Sequence, residues 1–243
     1  MCGRFTSTTP ASELADFFEA VTELPDEIEN YNVAPTSDVA VVHQEENGQR
    51  RLDLMLWGLV PSWAESPAIG SRLLNARSET VAVKPSFRSA FRRRRCLIPV
   101  DGFYEWVHVP ERKKKQPVYI TSTDGSPLAF AGIWESWRSK EEPETAAVLR
   151  TCSIITGPPN ELIAPLHDRM PMILSQDQWA RWLDPSNDCI DELHSLLRPA
   201  PEPWLQWWPV STEVNNVRNR DASLVQRAEI VADGQAEGQG RLL

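Results

Sequence analysis

The sequence CLIPVDGFYEWVHV, residues 96–109, carries a long β pattern from which the rest of the chain can be interpreted. Its β-branched and aromatic residues are typical of strands, so we predict one long strand that turns at residues 110–115 into a partner strand. Glu105 lies in the part of this pattern that is apolar on both strand faces. A carboxylate there is either neutralised by a buried partner or functional, because desolvation raises the pKa of a carboxyl and lets it exchange protons near neutrality.

Shorter patterns on both sides predict a mixed fold. Helices are predicted at residues 12–24, 158–166, 176–183 and 190–197, and strands at residues 39–42, 52–57, 118–121, 128–134, 148–156, 170–174 and 207–210. The elements interleave irregularly and short hairpins join the strands, which favours an α+β fold with antiparallel sheets. We predict one domain over residues 1–226 and, because residues 227–243 are rich in Gly, Gln and Ala, a disordered tail after it.

Composition excludes several classes of protein. The chain has 243 residues, a net charge of −9 and no apolar run of about 18 residues, so we expect no transmembrane helix and no membrane partner. Cys2, Cys96, Cys152 and Cys189 are far apart and form no CxxC pair. We therefore expect no disulfide framework and no zinc site. No other metal and no cofactor is expected. Free thiols without a secretion signal favour a reducing cytoplasm.

The charge is unevenly distributed along this acidic chain. Eight basic residues between positions 72 and 95 face a single acidic one, Glu79. A local basic surface can bind phosphates even on an acidic protein, because binding depends on the local electrostatic field rather than on the net charge. The alternative for the run at residues 92–95 is a solvated turn or strand edge.

Cys2 has an unusual chemical position beside the initiator methionine. Loss of Met1, which is common before a small side chain, leaves Cys2 with a free α-amine and a thiol. These groups titrate at about 7.7–8.0 and about 8.5, so each is partly nucleophilic at neutral pH. Such a 1,2-aminothiol attacks an aldehyde with nitrogen and closes a thiazolidine ring with sulfur. The alternative is that a cysteine follows Met1 by chance.

A second group of polar residues surrounds His167, directly after the helix predicted at residues 158–166. His167 is suited to proton transfer, Asp168 to orienting its imidazole, and Arg169 to holding a phosphate. The alternative is a favourable interaction between a protonated histidine and the C-terminal end of that helix.

Two further segments carry groups suited to nucleic acid. Asn75 can hold an oxygen and Arg77 a phosphate, although an asparagine is also common in turns. Trp63 lies in a proline-bounded loop, where an indole can stack on an unpaired base. The alternative is that Trp63 packs over a hydrophobic edge.

Taken together, ten segments of the chain resemble the SOS-response-associated peptidase family of abasic-site processing proteins, in family order across residues 2–226. The segments are MCGRF (1–5), YNVAP (31–35), WG (57–58) with Pro61 and Trp63, NARSET (75–80), RC (95–96), DGFYEW (101–106), KQP (115–117), LHDRMP (166–171), PVS (209–211) and VNNV (214–217). The resemblance implies a single compact α+β domain of curved, barrel-like antiparallel sheets, flanked by helices and framing a basic cleft for single-stranded DNA.

The resemblance also implies a reaction and a set of site residues. The N-terminal cysteine of the family captures the aldehyde of an abasic site in single-stranded DNA as a thiazolidine crosslink, with lyase activity and self-removal of Met1 as side activities. The protein is expected to act as a monomer without a cofactor. The catalytic positions are Cys2, Asn75, Glu105 and His167, the phosphate contacts are Arg4, Arg77 and Arg169, and the wedge against the bases is formed by Pro35 and Trp63.

One departure from the family pattern concerns the wedge, since Trp63 is followed by Ala64 and Glu65 where the family often has a second aromatic residue. Two other functions also fit parts of the sequence. An N-terminal nucleophile amidohydrolase also begins Met-Cys-Gly and uses its thiol against an amide. A noncovalent single-strand binding module would need only Trp63 and the arginines.

Overall fold

Strands dominate the computed structural model, which describes residues 3–27, 29–110, 114–141 and 146–229. Within these ranges the strands are β1 (Phe5–Ser7), β2 (Val21–Thr22), β3 (Asn30–Val33), β4 (Asp38–Gln44), β5 (Arg50–Trp57), β6 (Asn75–Arg77), β7 (Arg95–Val100), β8 (Gly102–Val107), β9 (Gln116–Ser122), β10 (Leu128–Trp137), β11 (Leu149–Gly157), β12 (Met170–Pro171) and β13 (Leu205–Pro209). The helices are α1 (Ala11–Phe18), α2 (Arg88–Arg93), α3 (Gln176–Leu183) and α4 (Ile190–Leu196), with short 3₁₀ turns between elements.

Five strands close into a barrel. β11, β10, β7, β4 and β5 pair in that order, and β5 returns to β11 through the parallel register of Leu56 with Thr151 and Trp57 with Cys152. Side chains with no exposed surface, such as Trp57 and Phe130, fill the core. Closure pairs backbone N–H and C=O groups that the edge strands of an open sheet would leave to solvent. The barrel confirms the predicted α+β fold with a barrel-like sheet.

The prediction of one long strand over residues 96–109 is wrong at its middle. The strand ends at Val100 and restarts at Gly102. β7 belongs to the barrel, whereas β8 lies in a five-stranded sheet of order β13-β9-β8-β1-β3. The Asp101 carboxylate holds this bend by accepting hydrogen bonds from the backbone N–H groups of Thr8 (2.5 Å) and Thr9 (3.2 Å) and from both threonine hydroxyls.

Gly102 is required directly after the bend. A Cβ at this position would lie 2.3 Å from the ring of Tyr119. That ring is fixed, because its hydroxyl is hydrogen-bonded to Thr6 Oγ1 at 2.9 Å. The close approach lets β8 pair with both β1 and β9.

Helix predictions were confirmed at some positions and wrong at others. α3 has the predicted bounds, and α4 ends one residue early. The helix predicted over residues 12–24 ends at Phe18, because Glu19 takes a left-handed conformation (φ 53°) and Val21–Thr22 pairs with β5. Residues 161–166 form turns rather than a helix, so His167 does not follow a helix C-terminus. None of the helices in the described ranges is both long and apolar enough to span a bilayer.

The bend at Asp101 leads to a stability prediction. Asp101→Ala removes the charged acceptor of four hydrogen bonds, so we expect it to lower the free energy of unfolding by about 3 kcal/mol. Urea unfolding monitored by tryptophan fluorescence measures the change. As a control, Asp124 accepts hydrogen bonds from Ser126 in an exposed turn, and Asp124→Ala should cost less than about 1 kcal/mol. Equal losses in the two variants would contradict the role of Asp101.

Candidate functional site

The first described residues run directly beside Glu105. β1 pairs antiparallel with β8, with Phe5 opposite Phe103. The pairing continues to Arg4, whose carbonyl accepts the backbone N–H of Tyr104 at 2.9 Å. The same register, continued by one residue, sets Gly3 opposite Glu105. Cys2, the predicted nucleophile, lies outside the described residues.

Glu105 is a buried carboxyl in a charged neighbourhood. Its exposure is 3%. Burial raises the pKa of Glu105 above its ordinary value, while the charges of His167 and Lys115 act in the opposite direction. His167, far from Glu105 in sequence, therefore lies near enough for its charge to lower the pKa of Glu105. A carboxyl whose pKa is raised by desolvation is suited to proton transfer near neutral pH.

The half-buried imidazole of His167 contacts two neighbours through Nδ1. This nitrogen accepts the backbone N–H of Arg169 at 2.9 Å and lies 2.8 Å from Asp168 Oδ1. As an acceptor, Nδ1 leaves the proton of the neutral ring on Nε2. When the ring is protonated, Nδ1 can instead donate to Asp168. Both neighbours hold the orientation of the imidazole ring.

Two predicted site segments meet at the C-terminal end of β11. Asn75, half-buried, begins β6 opposite Ile154, and Arg77 ends it opposite Thr156. Thr156 is also the register partner of Pro171 in β12, just after the His167 turn. The Arg77 side chain is exposed and forms no hydrogen bond or ion pair with any described residue. Its guanidinium is therefore available to a ligand.

Arg169 has an intramolecular partner. Its guanidinium pairs with both carboxylate oxygens of Glu79 and donates to the Thr156 carbonyl (2.5 Å). The ion pair with Arg169 is the main reason that the pKa of Glu79 falls to about 2. Sequence analysis identified Arg169 but missed Glu79, whose only signal was its place in the NARSET segment.

Arg4 is also engaged within the protein. One guanidinium nitrogen donates to Asn32 Oδ1 (2.7 Å) and to the Val214 carbonyl (2.9 Å), and the group lies 5.7 Å from the centre of the Trp106 ring. The Asn32 amide donates to the carbonyls of Val214, Asn216 and Asn219. Arg4 and Asn32 thus join the start of the chain to its C-terminal segment, a role the sequence did not reveal for Asn32.

Pro35 and Trp63 flank the end of β5. Pro35 occupies a tight turn in which Thr36 is left-handed (φ 63°) and donates its N–H to the Trp57 carbonyl. Trp63 is 52% exposed. Its backbone carbonyl accepts a hydrogen bond from Lys140 Nζ at 2.9 Å. This bond holds the backbone of the Trp63 loop and leaves the indole ring exposed.

Among the described residues, no group of three or more His, Cys, Asp or Glu side chains is arranged to hold a metal ion. The predicted site residues instead form two groups. Arg4 and Glu105 lie beside the N-terminal strand, with His167 within electrostatic reach of Glu105, and Asn75, Arg77 and Arg169 lie around the C-terminal end of β11.

Comparison with known proteins gives consistent matches. The family model described as SOS response associated peptidase (SRAP) matches residues 1–217. The abasic site processing protein YoqW of Bacillus subtilis is 38% identical over 228 residues, covering 93% of this chain and 99% of the relative. The abasic site processing protein YedK of Escherichia coli is 32% identical, with the same two coverages. A solved structure from Bacteroides thetaiotaomicron superposes with a TM-score of 0.83 at 28% identity, covering 94% of this chain and 100% of that chain.

The Glu79–Arg169 pair leads to a pH-dependent prediction. Because the Glu79 side chain is 51% exposed, we expect Glu79→Gln to cost at most about 1 kcal/mol at neutral pH. The pKa of Glu79 falls from 4.5 to about 2 in the folded protein. A carboxyl with a lowered pKa contributes its stability above the unfolded pKa and loses it as the pH falls through the folded pKa.

Urea unfolding of the parent protein and Glu79→Gln, measured from neutral pH downwards, checks this prediction. The difference in free energy of unfolding should stay constant above about pH 5 and shrink towards zero near pH 2. A difference that is independent of pH would contradict the ion pair as its source.

Proposed function

This chain belongs to the SOS response associated peptidase (SRAP) family, and on that basis we propose that it processes abasic sites by covalent capture. The relatives named above are called abasic site processing proteins. The observation that carries the proposal is the buried Glu105 carboxyl opposite the N-terminal strand and within the field of His167. This arrangement supports acid–base chemistry at the first residues of the chain.

The reaction requires the N-terminus of Cys2. Loss of Met1, through the chain itself or through a cellular aminopeptidase, exposes the α-amine. The amine adds to the C1′ aldehyde of the opened abasic sugar, and loss of water gives an imine. The thiol then adds to the imine carbon, its proton moves to the nitrogen, and a thiazolidine ring closes. One water is released overall and no oxidant is required.

Glu105 is positioned to handle the protons of these steps. Cys2 directly precedes Gly3, which the β1–β8 register places opposite Glu105 when it is continued beyond Arg4 and Tyr104. Consecutive Cα atoms are about 3.8 Å apart. A carboxyl with a raised pKa can protonate the departing hydroxyl of the carbinolamine and then accept a proton from the thiol. Proton transfer of this kind contributes roughly 10²–10⁴-fold to a rate.

His167 and Asn75 are assigned to the sugar. His167, with its proton on Nε2 in the neutral ring, assists opening of the deoxyribose and the reverse reaction. The Asn75 amide can hold a sugar oxygen and the terminal residue. An imine that persists permits β-elimination and strand cleavage, so a lyase side activity follows when ring closure is slow.

Single-stranded DNA is the substrate form we propose, because Trp63 can stack only on an unpaired base. Arg77 is available for a phosphate, and the Pro35 turn provides an apolar edge next to the loop. Arg4 and Arg169 can contribute positive potential or exchange an internal partner for a phosphate.

The decisive test concerns Cys2. Intact-mass spectrometry after mixing the parent protein with an abasic single-stranded oligonucleotide should show loss of Met1 and an adduct that survives denaturation. Cys2→Ala should form no stable adduct, and Cys2→Ser only an imine that borohydride traps. A stable adduct with Cys2→Ala would overturn the proposal. Full binding with no adduct in any form would identify a noncovalent module, and hydrolysis of glutamine would identify an amidohydrolase.

The role of Glu105 has its own test. Glu105→Gln should slow adduct formation by roughly 10²-fold or more while the affinity for single-stranded DNA changes little, because the amide cannot transfer the proton. Glu135→Gln is the matched control for the rate of adduct formation, since Glu135 is also buried but pairs with Arg94. Equal losses of rate and affinity in Glu105→Gln would instead indicate a structural role.

A further inference from the structure

A cavity of about 660 Å³ opens at the other end of the barrel from the Glu105 site. Arg150 at the start of β11 lines it, whereas the candidate site gathers around Thr156, six residues or roughly 20 Å further along the strand. Its volume lies within the range of about 300–1,000 Å³ that is typical of ligand sites. The lining residues that bear on its chemistry are His43, Arg93, Arg94, Trp134, Arg150 and Ser186.

Trp134 is the aromatic surface of this cavity, which we call the Trp134 cavity. The indole is half-buried, and it lies 5.2 Å from the His43 ring and 5.9 Å from the Arg150 guanidinium. The interior tryptophans Trp57 and Trp182 donate their indole N–H groups to backbone carbonyls at 2.9 Å. The indole N–H of Trp134 donates to no acceptor among the described residues, so it remains available to a ligand.

A basic ridge leads from the candidate site to this cavity. Overlapping backbone hydrogen bonds between residues four apart run without interruption from the Arg77 carbonyl to the Arg94 N–H. The exposed cations along the ridge are Arg77, Lys84, Arg88, Arg92 and Arg93, and none is hydrogen-bonded or ion-paired to another described residue. Glu79, the single acidic residue of the segment, is already paired with Arg169. The ridge is therefore positive although the protein carries a net charge of −9.

The rim of the cavity opposite the ridge is acidic. Glu45 and Glu46 line it from the β4–β5 turn. Inside, Arg94 pairs with Glu135 (2.7 Å) and Arg150 with Asp53 (2.9 Å). The cations free to neutralise a phosphate are thus on the ridge, and a bound anionic strand would lie on that side, with its bases directed towards Trp134.

We propose that the basic ridge and the Trp134 cavity bind single-stranded DNA flanking the lesion, with phosphates along the ridge and one base stacked on Trp134. The choice of DNA as the ligand rests on the proposed function. The combination of an aromatic platform with unpaired cations is the one by which proteins hold single strands without reading their sequence. Binding here would extend the contact with the strand well beyond the site at Glu105.

The test compares the affinity of unmodified single-stranded oligonucleotides of about five and about twenty nucleotides, which bracket the span of a typical single-strand site. Trp134→Ala should weaken binding of the long strand by about tenfold and leave the short one unchanged. Trp134→Phe should retain most of the affinity. Trp207→Ala is the matched control, because Trp207 is exposed on β13 and its indole N–H likewise donates to no described residue.

Charge variants provide a second measurement on the same long strand. The double variant Arg92→Gln/Arg93→Gln should reduce the slope of log affinity against log salt by about 1.4, or about 0.7 per lost phosphate contact. Glu45→Gln/Glu46→Gln should tighten binding by removing repulsion. Arg198→Gln, at the C-terminal side of α4 where the side chain donates to the Ser195 carbonyl, should change neither.

Unchanged affinity for the long strand in the Trp134 and Arg92/Arg93 variants, or equal losses for both lengths, would overturn this inference. Because the DNA is unmodified, the result does not depend on Cys2 chemistry. Failure of the proposed function would appear separately, as no adduct with abasic DNA of any length. If only the ridge proposal is wrong, adducts with abasic DNA would still form, but their formation would not depend on the length of the strand.

Discussion

The Asp101 carboxylate joins the two sheets of the protein. By accepting hydrogen bonds from Thr8 and Thr9, it holds the loop after β1 against the point where β7 becomes β8. The chain leaves the barrel there and enters the five-stranded sheet. Because β1 and β8 pair across this same bend, the first described residues lie alongside the strand that carries Glu105. The candidate site therefore depends on a bend that lies outside it.

The C-terminal segment fixes the same region from the other side. Asn32 binds three carbonyls of this segment and also accepts from Arg4. A buried amide is costly unless its hydrogen bonds are made, and here they are made with Arg4 and with the carbonyls of residues 214–219. The N-terminal strand is thereby held rigidly beside a carboxyl whose desolvation is itself unfavourable. This organisation is what acid–base chemistry at an N-terminus requires, since proton transfer needs fixed distances.

The surface near the candidate site carries many positive side chains, although the net charge of the protein is negative. Two arginines of the candidate site, Arg4 and Arg169, have internal partners, whereas the ridge cations have none among the described residues. A phosphate reaching Arg169 must compete with Glu79, while a phosphate on the ridge meets only solvated cations. The positive potential is therefore less compensated along the ridge than at Arg169.

Local patterns in the sequence determined the hairpin of β4 and β5, the bounds of α3, the apolar surroundings of Glu105 and the identity of the candidate residues, since periodicity and residue chemistry are local properties. The tertiary structure decided barrel closure through residues 56–57 and 151–152, the division of the long β stretch at Asp101, and the Glu79–Arg169 pair. These depend on contacts between residues 90 or more positions apart. Such contacts are selected by packing of the whole chain, and no local pattern encodes them.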